Sequence, residues 1–78
     1  MSFFWLVFKN GANLSVIIQP AGDIIMARMR ALLAGVEAEF QEGHELDTKT
    51  ARKVPKKMIG RVLSRKEATT LLKKIASG

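Results

Sequence analysis

Residues Phe3–Phe8 (FFWLVF) are six consecutive apolar side chains, and this run limits what the chain can become more than any other segment. A short apolar run bounded by the turn-forming Asn10-Gly11 reads as a β-strand buried on both faces. Phe3, Trp5 and Val7 point to one side, and Phe4, Leu6 and Phe8 to the other. Such a strand needs cover above and below, which puts it in the middle of a small sheet. The run is far short of the roughly 20 apolar residues that span a bilayer, so no membrane span is expected. No basic segment precedes it and no small-residue cleavage site follows, so it is not read as a signal peptide. The chain of 78 residues has no cysteine, which rules out a disulfide framework and a thiolate metal site and fits a cytoplasmic location. Stability must come from the core or from oligomerisation.

The rest of the chain supplies partners for that strand. Asn10-Gly11 is a hairpin signal, and Leu14–Gln19 (LSVIIQ) has the β-branched content of a second strand, which Pro20 is expected to end. A helix is predicted from Ala21 to Ala34, with Asp23 as N-cap and Gly35 at the C′ position. Ile25, Met29, Leu32 and Leu33 follow the helical period and are expected to face the core, with Arg28 and Arg30 on the far side. Val36–Phe40 alternates and predicts a third strand. Asp47 is placed to cap a short helix over Thr48–Lys53 that Val54-Pro55 ends. The apolar residues Met58, Ile59, Val62 and Leu63, interrupted by Gly60, fit a helical turn or a short edge strand. Ser64-Arg65-Lys66-Glu67 is a capping-box pattern. It opens a helix from Arg65 to about Ala76 that buries Ala68, Leu71, Leu72 and Ile75.

This order predicts a single α+β domain over residues 1–78, β-β-α-β-(short helix or turn)-α. It has two main helices and a mixed sheet of three strands, or four if residues 56–63 are extended. A helix returning from strand two makes strand three parallel to it. Pairing strand three with strand one gives the order 2-1-3, with FFWLVF central. One helix on each face would then cover the sheet.

Residues 1–47 carry three basic and six acidic side chains, whereas residues 48–78 carry ten basic ones and only Glu67. Lys49, Arg52, Lys53, Lys56, Lys57, Arg61, Arg65 and Lys66 fall within eighteen residues. Such density is the electrostatic footprint of phosphate-backbone binding. The bland counterpart is neutralisation within the fold by Glu37, Glu39, Glu42, Glu45 and Asp47. Every aromatic residue lies between residues 3 and 40, outside the basic segment, so base stacking is not expected there. A helix–turn–helix built from Thr48–Lys53 and Arg65–Ala76 would have an eleven-residue connection, against the usual 3–4.

The inventory for catalysis is thin: one histidine, no cysteine, no tyrosine. Ser64 is accounted for as a helix cap, and HELDT around His44 lacks the second histidine of a zinc-protease helix. Glu42, His44, Glu45 and Asp47 cluster closely enough to suggest a divalent ion, but a polar loop with a solvated histidine explains them as well. Glu37 and Glu39 read as the exposed face of a strand. No cofactor or metal is expected, and the chain is read as a non-enzymatic binding module. In the leading reading, Lys53, Lys56, Lys57, Arg61, Arg65 and Lys66 contact nucleic acid or another polyanion. In the alternative, a protein-interaction or self-associating domain forms a homodimer through a bare apolar edge, Ser15, Val16, Ile17 and Ile18, on strand two.

Overall fold

The computed structural model describes residues 2–35 and 38–77. It is an α+β fold with one four-stranded sheet and three helices. The strands are β1 (Ser2–Asn10), β2 (Asn13–Ala21), β3 (Glu39–Leu46) and β4 (Leu63–Ser64), and the helices are α1 (Ile24–Leu33), α2 (Thr48–Ala51) and α3 (Arg65–Ser77). The sheet order is β3-β1-β2-β4, with every ladder antiparallel. The apolar β1 is therefore internal, as its composition requires. The expected order 2-1-3 is contained in it, but the sheet is not mixed: parallel pairing is confined to the isolated bridge Ile18–Ile59.

The hairpin turn is set one residue later than Asn10-Gly11 suggests. Asn10 stands opposite Asn13, which leaves Gly11 and Ala12 as the two loop residues. Gly11 has φ 62° and Ala12 is not in the left-handed region. A glycine at the first loop position is the requirement of a type II′ turn. Pro20 does not end β2, which runs on to Ala21 with Pro20 opposite Phe3. The reason is directional. Ile18 turns its carbonyl away from β1 to accept from Gly60 N at 2.7 Å, and Pro20, two residues on, turns the same way. It lies past the last bridge on that side, so its missing N–H breaks no ladder bond.

Two cores lie on the two faces of the sheet. Phe4, Leu6, Phe8, Ile17 and Ala21 pack under α1, and Trp5, Val16 and Ile18 pack with Val54, Leu63, Ala68 and Leu71 under α3. The division follows the alternation of β1 read from the sequence. The third strand does not follow its expected bounds. Of the expected Val36–Phe40, residues 36 and 37 lie outside the described residues, and β3 begins at Glu39 and runs to Leu46. Glu42, Gly43, His44 and Glu45 are thus strand, not loop.

A bulge explains how so polar a strand serves both cores. Val7 stands opposite Glu42 while Phe8 stands opposite Phe40, which leaves Gln41 as the extra residue and reverses the alternation. Phe40 reaches the α1 side, where its ring meets Phe8 edge-on at 5.7 Å and 71°. Leu46 reaches the α3 side.

The caps are built as the sequence indicates, but the bounds differ: α1 starts at Ile24, not Ala21, because Ala21 is paired in β2, and α2 ends at Ala51, short of Lys53. Asp23 accepts from Met26 N at 2.9 Å, and Asp47 accepts from Thr50 N at 2.6 Å. Ser64 and Glu67 cap reciprocally: Ser64 N donates to Glu67 Oε1 at 3.1 Å, and Glu67 N donates to Ser64 Oγ at 3.2 Å. Residues 56–63 combine both expected forms, a 3-10 turn at Lys56–Met58 followed by the Ile59 bridge and entry into β4. In α3, Ala68 and Leu71 are buried and Ile75 partly so, but Leu72 is exposed, contrary to expectation.

Candidate functional site: a divided basic surface and a bare helix face

The strand-two edge is closed. Ser15 pairs with Ser64 and Val16 with Leu63, and Val16, Ile17 and Ile18 are all buried. Ser15, Val16, Ile17 and Ile18 therefore offer no free edge for a second chain. The sequence hid this because β4 is two residues long and gains its place only by packing Leu63 into the α3-side core. The free edge on the other side belongs to β3, where Glu39, Glu42 and Glu45 are exposed. Charges and a bulge on an edge discourage strand addition.

The six expected polyanion contacts do not form one patch. Lys53 Nζ donates to Ile75 O at 3.2 Å in a part-buried setting, so it caps the last turn of α3. Arg61 Nη2 meets Glu67 Oε2 at 2.8 Å. Arg65 lies at the hairpin end of the sheet, beside Leu14 and Glu42, and Lys66 follows it. Lys56 and Lys57 lie in the 3-10 turn next to Ile59, toward the opposite end of β2. The direction of β2 separates the two pairs, since Ser64 lies opposite Ser15 and Ile59 opposite Ile18.

Around Lys56 the structure does bring cations together. A half-open cleft of about 430 Å³ has apolar walls from Phe3, Leu46, Val54 and Ile59, and carries Arg52, Lys56 and Glu45 on its lining. Lys49, three residues before Arg52 (the C-cap of α2), and Lys57, next to Lys56, lie beside the cleft but off its lining. Phe3 corrects the expectation that no aromatic lies near the basic segment. It is distant in sequence, and the β1–β3 pairing of Phe3 with Leu46 brings it to the cleft.

The carboxylates compensate these cations only at a distance: Asp47 lies within the field of Lys49 and Lys53, and Glu45 shares the cleft lining. Glu39, Glu42, Glu45 and Asp47 form no ion pair with the described cations of residues 49–66, where the pair formed is Arg61–Glu67. Glu37 lies outside the described residues. The hydrogen bond from Thr50 N, followed by that from the Thr50 side chain, holds Asp47 below its ordinary range. The hydrogen bond from Ser64 N, then that from Arg61, does the same for Glu67. Helix capping is the leading cause of both shifts, with Arg61 adding to that of Glu67 and Lys49 and Lys53 to that of Asp47.

The acidic cluster is dispersed by the strand. Glu42 and His44 stand opposite Val7 and Trp5, and Glu45 opposite Phe4 on the other face. No group of three metal-ligating side chains forms among the described residues. No helix among them is long and apolar enough to cross a membrane.

Helix α1 departs furthest from expectation. The residues it buries are Ala27 and Ala31, with Ile24 partly covered. Ile25, Met29, Leu32 and Leu33, expected in the core, are 67%, 53%, 60% and 87% exposed, and Met26 is 43% exposed. Small side chains let the helix approach the large residues of the sheet closely, so Ala27 and Ala31 occupy the inner face. Arg28 folds over the Phe40 ring, with Cζ at 4.1 Å from the centroid.

No protein-family model matches the chain, and neither a curated protein nor a solved structure is significantly similar to it.

Proposed function

We propose that this domain is a non-enzymatic binding module that contacts nucleic acid or another polyanion through Lys49, Arg52, Lys56 and Lys57. The observation that carries the reading is the excess of exposed cations, none of them in a close ion pair, over the carboxylates Glu45 and Asp47 on and beside the Phe3–Ile59 cleft. Arg61 and Lys53 are removed from the contact set because each has an internal partner. Arg65 and Lys66 act as a separate, more distant contact. With Phe3 partly exposed in the cleft wall, a single strand is favoured over a duplex, since a base can enter beside an aromatic ring while its phosphates meet Arg52 and Lys56.

Fluorescence anisotropy with labelled single-stranded RNA, single-stranded DNA and duplex DNA tests this at low salt. About four phosphate contacts on a single strand predict a slope of about −3 in log K against log salt. Absence of binding at tens of micromolar protein ends the reading. A protein-interaction role is the second reading, favoured by the outer face of α1 in place of the closed β2 edge.

A further inference from the structure

The outer face of α1 carries a pattern that selects its own partner. Ile25, Met26, Met29, Leu32 and Leu33 are five of the seven large apolar side chains exposed among the described residues. Their positions are symmetric about Met29, at four and three residues before it and three and four after. Two helices in antiparallel contact about a twofold axis at Met29 would set Ile25 against Leu33, Met26 against Leu32, and Met29 against Met29. The spacing Ile25, Met29, Leu32 is also the alternating four-three step of a knobs-into-holes seam. We propose that this face is covered by the same face of a second copy of the chain, giving a twofold dimer through an α1–α1 pair.

The area is sufficient. The five exposures add up to about three fully exposed residues. That is roughly 500–600 Å² per copy and roughly 1,000–1,200 Å² for the pair, where a specific interface needs about 1,000 Å². It is also at the upper end of the largest apolar patch on an ordinary monomer. A twofold interface must be self-complementary, and this patch places large apolar side chains at matching positions on either side of Met29. No charge interrupts it: Arg28 and Arg30 fall on opposite flanks, and Arg28 is held against Phe40. A helix apolar on both faces is a buried helix. Here the sheet buries one face and the second copy buries the other. The contact lies across the sheet from α3 and does not rest on the polyanion reading.

Sedimentation equilibrium and light scattering on the whole chain test the proposal. The mass rises from 8.6 kDa to twice that as concentration increases. Because each copy carries a net charge of +6, added salt screens repulsion and tightens the dimer, whereas it weakens polyanion binding. Met29→Glu and Met29→Lys each place like charges together on the axis, and each alone is monomeric. Mixed in equal amounts they form a heterodimer, an outcome expected only if residue 29 meets its own counterpart. Position 29 is half exposed, and circular dichroism checks that both variants fold. Should either fail to fold, a melting temperature of the unmodified chain that rises with its concentration carries the test. A strict monomer at high micromolar concentration overturns the proposal, as does a dimer that survives Met29→Lys. So does a monomer that sediments with phosphatidylcholine–phosphatidylserine vesicles and loses them on Met29→Glu, which would assign the face to a lipid surface.

Discussion

Gly43→Ala isolates the packing between β3 and α1. Gly43 stands opposite the fully buried Leu6 and is not in the left-handed region, so its backbone accepts alanine. The obstacle is space. An added Cβ would lie 2.7 Å from Leu6 Cδ2, 3.1 Å from Ile24 Cδ1 and 3.1 Å from Phe40 Cζ, against an optimum of about 3.5–4.0 Å for carbon pairs. All three neighbours are side-chain ends, and Leu6, the nearest, is fully buried, so any shift it makes is into the packed core. Overpacking of this kind costs about 1–3 kcal/mol. The reduced freedom of the unfolded chain returns about 0.4–1 kcal/mol. The midpoints of these ranges leave a net loss of about 1.3 kcal/mol, which for a domain of this size lowers the melting temperature by about 5–10 °C. Urea and thermal unfolding followed by circular dichroism measure it. A double-mutant cycle sharpens the assignment: Leu6→Val removes the closest atom, so alanine at 43 must cost less in that background. A Gly43→Ala domain as stable as the parent, or a cost undiminished by Leu6→Val, refutes this account of the contact.

Other outcomes follow from the same geometry. Lys56→Glu with Lys57→Glu should weaken oligonucleotide binding at least tenfold at low salt and flatten the salt slope. The same exchange at Arg65 and Lys66 should do less, as titration by anisotropy will show. Lys53→Met should cost about 0.5–1.5 kcal/mol of stability through the lost bond to Ile75 O and leave oligonucleotide affinity nearly unchanged. Equilibrium unfolding and anisotropy on the same sample separate the two effects. Glu67 has its folded-state pKa below the ordinary value of 4.5, so its capping contribution is complete above that value and is lost as pH falls through the folded one. Glu67→Gln should therefore reduce the pH dependence of stability below about pH 4.5 without changing its slope near neutrality, a comparison that acid titration of the two proteins makes directly.

What was legible in the sequence was local. The Ser64–Glu67 box, the Asp23 and Asp47 caps and the two-sided strand Phe3–Phe8 each rest on residues a few positions apart. Their hydrogen bonds and alternation form wherever the segment is placed. The extent of β3 was not legible, because Gln41-Glu42-Gly43-His44-Glu45 has no strand propensity of its own. Backbone pairing with β1 holds it extended, and the Gln41 bulge lets Phe40 and Leu46 serve opposite cores. The divided basic surface was equally hidden. Residues adjacent in sequence are carried to two ends of β2, and only the fold shows that Lys53 and Arg61 already have partners.

The central strand and the capping residues Asp23, Asp47 and Ser64 are thus properties of the sequence alone, since short-range hydrogen bonding and side-chain periodicity decide them, whereas the expected helix start at Ala21 gave way to β2. The orientation of α1 and the covering of β2 belong to the tertiary structure. Hydropathy ranks Ile25, Met29, Leu32 and Leu33 as core, but the sheet already fills its own face with Leu6, Phe8 and Ile17. Against that surface only side chains as small as Ala27 and Ala31 let the helix backbone come close.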